Sequence, residues 1–108
     1  MRRIIGAAFL SLDGVMQAPG GPEEDPSGGF ELGGWIIPYF DEAMGERLDR
    51  IVSGSFDLLL GRRTYEIFAA HWPYAGDNPI ADGFNRAVKY VPTRGTPELD
   101  WKNSQALR

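Results

Sequence analysis

The chain alternates short apolar runs of strand length with segments whose apolar residues recur at helical spacing, and each run ends in a turn of glycine, hydroxyl or charged residues. Residues 3–12 carry Ile4, Ile5, Ala7, Ala8, Phe9 and Leu10 and end in Ser11, Leu12, Asp13 and Gly14. Residues 56–60 end in Gly61, Arg62, Arg63 and Thr64, and residues 88–91 end, past Pro92, in Thr93, Arg94 and Gly95. Nearly continuous apolar runs of this length are the pattern of strands covered on both faces. Strands separated by helices pair in parallel, because a parallel pair needs a long crossover. The expected fold is therefore α/β, a mostly parallel sheet of three or four strands with flanking helices, the fourth a short strand within residues 97–108.

The connecting segments support this layout. Phe40, Met44, Leu48, Ile51 and Val52 recur on one face of a 3.6-residue period, with Asp41 and Glu42 in the first turn and Arg47 and Arg50 toward the last, as the helix dipole favours. A second helix is expected to start near Arg63 or Thr64, carry Tyr65, Phe68 and Ala69, and stop before Pro73. Asn78-Pro79 reads as an N-cap followed by the first residue of a third helix bearing Ile80, Phe84 and Ala87. Residues 17–34 are rich in Gly, Pro and acid with no periodicity, a long loop of the kind that is either functional or disordered.

Length and charge bound what such a fold can do. The chain has 108 residues, enough for one small domain, and no cysteine, so stability must come from packing. No apolar run approaches the roughly 20 residues that cross a bilayer, and no signal-peptide cleavage site follows residues 4–10, which points to a cytoplasmic protein. The formal charge of −4 argues against a nucleic-acid partner. Its distribution is uneven: nine acidic residues against one basic between residues 4 and 49, and Arg62, Arg63, Arg86, Lys89 and Arg94 against Glu66, Asp77 and Asp82 between residues 58 and 94. A basic cluster of that size suits one small anion, although scattered charges that merely solvate the surface would give the same count.

In open α/β sheets ligands sit outside the carboxyl ends of the strands, which here are the turns at residues 11–14, 61–64 and 93–95. In the second turn, Gly61 permits close backbone approach, a helix start offers free N–H groups, and Arg62 and Arg63 add charge, together a phosphate site. The competing reading pairs these arginines with Glu66 or Asp57. Thr93 and Arg94 would form a second cradle on a neighbouring strand, as a nucleotide with a pyrophosphate and a further ribose phosphate requires. Neither a Walker motif nor G-x-G-x-x-G follows the first run, so P-loop and Rossmann folds are not supported. His71 is the single histidine, which excludes a histidine metal cluster and suggests packing. Asp41 is a helix cap or, alternatively, a carboxylate lining a pocket under Trp35.

With these residues in view, the chain resembles the dihydrofolate reductase-like superfamily, in particular the branch related to the reductase domain of the bifunctional riboflavin-biosynthesis deaminase/reductase. Four stretches carry the likeness in order: "SLDGVM", "WIIPYFDEAMGERL", "DLLLGRRTYEIF" and "FNRAVKYVPTRG" with the later "LDWKNS". The resemblance implies an NADPH-dependent reductase, with Gly61, Arg62, Arg63 and Thr64 on the cofactor phosphates and Thr93 and Arg94 on the adenosine 2′-phosphate. It puts Ser11, Asp13 and Gly14 near the nicotinamide and a small-molecule substrate, pterin-like or ribosylamino-pyrimidine-like. Asp13 and Asp41 are the candidate catalytic carboxylates. Family members continue with further strands, so the chain is expected to be the amino-terminal portion of such a domain and to self-associate, as a homodimer or through exposed sheet edges. The other class of function left open is a noncatalytic nucleotide- or flavin-binding module.

Overall fold

Lys89–Pro92 is the middle strand of a three-stranded sheet in which every pair is parallel, Leu58–Leu59 on one side and Ser104–Leu107 on the other. We call these β2, β1 and β3. This architecture comes from a computed structural model that describes residues 3–95 and 97–107. The chain divides into two compact units, Met1–Phe40 and Asp41–Arg108.

The second unit holds the sheet and three helices, α1 (Glu42–Val52), α2 (Arg62–Ala69) and α3 (Pro79–Arg86). The expected α/β class is present, and so is the expected parallel pairing. The hydrogen bonds run from Leu58 N–H to Val88 O (2.8 Å) and from Leu60 N–H to Tyr90 O (3.0 Å) on one side of β2. On the other side, Lys89 N–H donates to Asn103 O (2.8 Å) and Thr93 N–H to Leu107 O (2.9 Å). The connection from β1 to β2 carries α2 and α3, whereas β2 reaches β3 without a helix.

Local chemistry explains the helix limits. The Asp41 carboxylate accepts from Met44 N–H at 2.9 Å and starts α1 there, so the preceding residues Ile37–Tyr39 remain a separate 3-10 turn. Asn78 Oδ1 accepts from Ile80 N–H at 2.9 Å, with Pro79 in the first helical position where its missing N–H costs nothing. Helix α2 begins at Arg62, a residue earlier than expected, with Gly61 as its N-cap. Along α1 the side buried or half-buried is Met44, Leu48 and Val52, while Ile51 stays exposed. Helix α3 packs closely on α1, and a Cβ at Gly83 would come within 3.3 Å of Val52 O, so glycine is what lets the two backbones approach.

The core of this unit is Leu60, Tyr65, Val91 and Trp101, flanked by Leu58, Phe68, Trp72, Phe84 and Leu99. Phe68 stacks on Phe84 (centroids 5.7 Å apart), and Trp72 meets Phe84 edge-on at 5.1 Å. His71 is exposed and lies edge-on to Trp72 at 4.7 Å.

The first unit corrects one expectation. Residues 3–12 do not form a strand: no ladder includes them, and Ile4 is 89% and Ile5 79% exposed. An apolar run acquires strand structure only when a neighbouring backbone accepts its hydrogen bonds, and among the described residues none does. The sheet keeps three strands because the short strand at the end of the chain is real. The loop at residues 17–34 is built: Gln17 Nε2 donates to Asp25 O (2.8 Å) and Ser27 O (2.9 Å), and Trp35 Nε1 donates to Gln17 O (2.9 Å).

Candidate functional site

Strand direction decides where the candidate anion-binding residues lie. Because β1 and β2 are adjacent and parallel, with Leu58 opposite Lys89 and Leu59 opposite Tyr90, continuing that register sets Gly61 level with Pro92. Gly61, Arg62, Arg63 and Thr64 therefore leave the sheet at the same carboxyl edge as Thr93 and Arg94. All six are exposed or half-buried, as a surface that meets a ligand must be.

Each carries chemistry suited to an anion. The first turn of α2 directs backbone N–H groups and the positive end of the helix dipole at this edge. A Cβ built on Gly61 would meet nothing within 4 Å, and its φ of −59° is available to any residue. Neither packing nor backbone conformation within the described residues requires glycine there. Arg62 Nε pairs with Glu66 Oε1 at 3.1 Å, as the competing reading anticipates, but both side chains are more than half exposed. Such a pair contributes little, at most about 1 kcal/mol, and its guanidinium can turn to a phosphate. The Thr93 hydroxyl donates to Arg94 O at 3.2 Å, and Arg94 lies exposed beside it.

The remaining candidates lie elsewhere in the chain. Ser11, Asp13 and Gly14 belong to the first unit, where they close a tight turn: Ser11 Oγ donates to Asp13 Oδ1 (2.5 Å) and accepts from Val15 N–H (2.8 Å). Gly14 occupies the left-handed region at φ 87°, which the turn needs. Asp41 caps α1, accepting from Met44 N–H at 2.9 Å.

A groove of about 600 Å³ is lined among others by Tyr65, Glu66, Asn85, Asp100, Trp101 and Lys102, and its Glu66 is the residue that pairs with Arg62. Its carboxylates make it unsuited to a phosphate. Beneath it lies a network that the sequence does not reveal as such. Lys89 is fully buried, and its ammonium donates to Asn85 O (2.8 Å) and Lys102 O (3.1 Å) while standing 4.1 Å from the Trp101 ring centroid. Burial, with Lys102 adding repulsion, pushes the Lys89 ammonium down to about 8. Trp101 Nε1 donates to Asn85 Oδ1 (2.7 Å), and the Tyr65 hydroxyl accepts from Trp101 N–H (3.0 Å) and joins Ser104 Oγ (2.8 Å). The signal was present in the paired stretches "FNRAVKY" and "DWKNS", whose residues hold β3 onto β2.

Compared with known proteins, the chain matches no family model and no curated protein. No helix among the described residues is long and apolar enough to cross a membrane.

Proposed function

We propose that the carboxyl edge of β1 and β2 holds the phosphates of NADPH, and that the chain carries this part of a cytoplasmic reductase of the dihydrofolate reductase-like kind. One observation carries the reading: two adjacent parallel strands deliver a Gly-Arg-Arg-Thr helix start and a Thr-Arg turn to one edge. A dinucleotide with a 2′-phosphate has two separated clusters of negative charge, and this edge has two separated groups of donors to meet them.

In this reading the N–H groups at the start of α2, with Arg62, Arg63 and the Thr64 hydroxyl, bind the pyrophosphate. Thr93 and Arg94 bind the 2′-phosphate. NADPH, when bound, supplies a hydride for reduction of a C=N or C=O bond. The resemblance assigns Ser11, Asp13 and Gly14 to the nicotinamide and a pterin-like or ribosylamino-pyrimidine-like substrate. Asp13, which accepts from the Ser11 hydroxyl, and Asp41, which accepts from Met44 N–H, are the two candidate carboxylates for handling a proton. A noncatalytic nucleotide-binding module would use the same edge and differ in lacking turnover.

The test is a titration with NADPH and with NADH, followed by the fluorescence of the three tryptophans. The reading expects saturable binding that prefers NADPH, a preference that Arg94→Ala removes, and weaker binding of both nucleotides in Arg62→Ala and Arg63→Ala. Absence of saturation, or a preference that survives all three substitutions, overturns it.

A further inference from the structure

The start of α2 is held from two directions. Behind it, β1 fixes where the helix begins, because Leu60 N–H donates to Tyr90 O at 3.0 Å and Gly61 follows at once. That bond sets a point, not the direction of the helix axis. The free N–H groups of a first turn aim along the axis, so the tilt of α2 decides what they and the dipole meet. Tyr65 supplies the second hold. Its N–H donates to Gly61 O at 2.9 Å and closes the first turn, while its side chain is 3% exposed and reaches the segment that leads into β3. There the hydroxyl accepts from Trp101 N–H at 3.0 Å. Ser104 Oγ donates to Trp101 O, so the 2.8 Å contact between the two hydroxyls runs from Tyr65 to Ser104. The Tyr65 hydroxyl thus has its donor and its acceptor on one short segment. At the other end of α2, Phe68 meets Trp72 and Phe84 through ring contacts, which tolerate small sliding; a buried hydroxyl with both bonds made does not.

That segment is itself fixed to β2. Lys89 N–H donates to Asn103 O at 2.8 Å and the Lys89 ammonium to Lys102 O at 3.1 Å. Further along the same strand stand Thr93 and Arg94, and Thr93 N–H donates to Leu107 O of β3 at 2.9 Å. One hydroxyl therefore ties the helix that carries Arg62 and Thr64 to the strand that leads to Thr93 and Arg94, through contacts made entirely within residues 41–108. On the reading that this edge binds NADPH, we propose that Tyr65 is a positioning residue, whose hydroxyl holds α2 at the tilt that lets one dinucleotide span both groups of donors. A ligand that meets two groups at once gains from their fixed separation, whereas a ligand that meets one group does not.

The test compares the wild type with Tyr65→Phe, which keeps the ring, and with Ser104→Ala, which keeps Tyr65 and removes its acceptor. Asn78→Ala, at the start of α3 and outside the tie, controls for lost stability. Dissociation constants are measured for NADPH, which spans both groups, and, by displacement of NADPH, for adenosine 2′-phosphate, which reaches Thr93 and Arg94 alone. Tyr65→Phe is expected to raise the NADPH constant about tenfold and Ser104→Ala about threefold, while the constant for adenosine 2′-phosphate stays within about twofold in both. Asn78→Ala moves neither constant. Residual dipolar couplings of the backbone amides give the angle of α2 to β2 without any ligand, and it is expected to change in Tyr65→Phe and not in Asn78→Ala. Ser104→Ala reads the same tie where Tyr65→Phe unfolds the chain. A wild type that does not bind NADPH saturably overturns the reading of the edge and this proposal together. With NADPH bound by the wild type, equal losses for both ligands, a loss shared by Asn78→Ala, or an unchanged angle in Tyr65→Phe overturns the proposal alone.

Discussion

The two units spend similar hydrophobic material in opposite ways. In the first, Ile4, Ile5, Leu10 and Leu12 lie in a continuous apolar stretch and remain exposed; the order of this unit comes from polar contacts, the Ser11 turn and the Gln17 and Trp35 clasps. In the second, Leu60, Val91 and Trp101 are far apart in the sequence and are buried together under α2. An apolar run is thus a capacity for burial and nothing more. What converts it is a neighbouring strand for its backbone and a helix or ring system for its side chains.

The largest effect that would break this comparison is expected at Trp101. Trp101→Ala removes the ring over Lys89, the indole hydrogen bond to Asn85 and a core member, for a loss of about 3–5 kcal/mol. Ile5→Ala, a truncation in the exposed run, should stay within about 0.5 kcal/mol. Urea unfolding followed by tryptophan fluorescence and circular dichroism measures both, and equal losses would mean that residues 4–10 are buried after all. Next comes Tyr65→Phe, which keeps the ring and strips the acceptor from the buried Trp101 N–H. It should cost about 1–3 kcal/mol in the same assay.

Acidity probes the same network with a definite sign. Lys89 titrates near 10.5 when unfolded and is pushed down to about 8 in the fold, chiefly by burial. Below about pH 8 both states hold the proton and the fold bears the full cost of the buried charge. Between about 8 and 10.5 the unfolded chain binds a proton that the folded chain has released, so the contribution of this group to stability rises with pH. Comparing unfolding midpoints of the wild type and Lys89→Met across that window should show the rise in the former alone. The smallest effect is Asn78→Ala, which removes the cap of α3 and should cost about 1 kcal/mol; no change would mean that packing against α1 alone holds that helix start.

Elements set by local chemistry were legible before any coordinates. Asn78-Pro79 starts α3 where capping rules put it, and Asp41 with Glu42 opens α1. The short apolar runs before Gly61 and Thr93 became adjacent parallel strands, so two of the three turns singled out as candidate sites do share one edge. The third did not join them through a strand, because pairing is a property of two segments and residues 3–12 could be read only as one. The Lys89 network showed in the sequence only as the paired stretches "FNRAVKY" and "DWKNS", and its geometry was illegible for the same reason. A lysine in an apolar strand gives no hint that Asn85, Trp101 and Lys102, from both flanks of the sheet, will surround its ammonium.

The alternation of apolar runs and amphipathic segments, the helix caps and the residue types at each strand end are written in the local sequence, since these depend on hydrogen bonds and periodicities within a few residues. Tertiary packing settled which runs became strands, which edge Arg62 and Arg94 share, and where the buried Lys89 ammonium is held. Those outcomes depend on partners tens of residues away, whose backbone groups must be met one for one before burial is favourable.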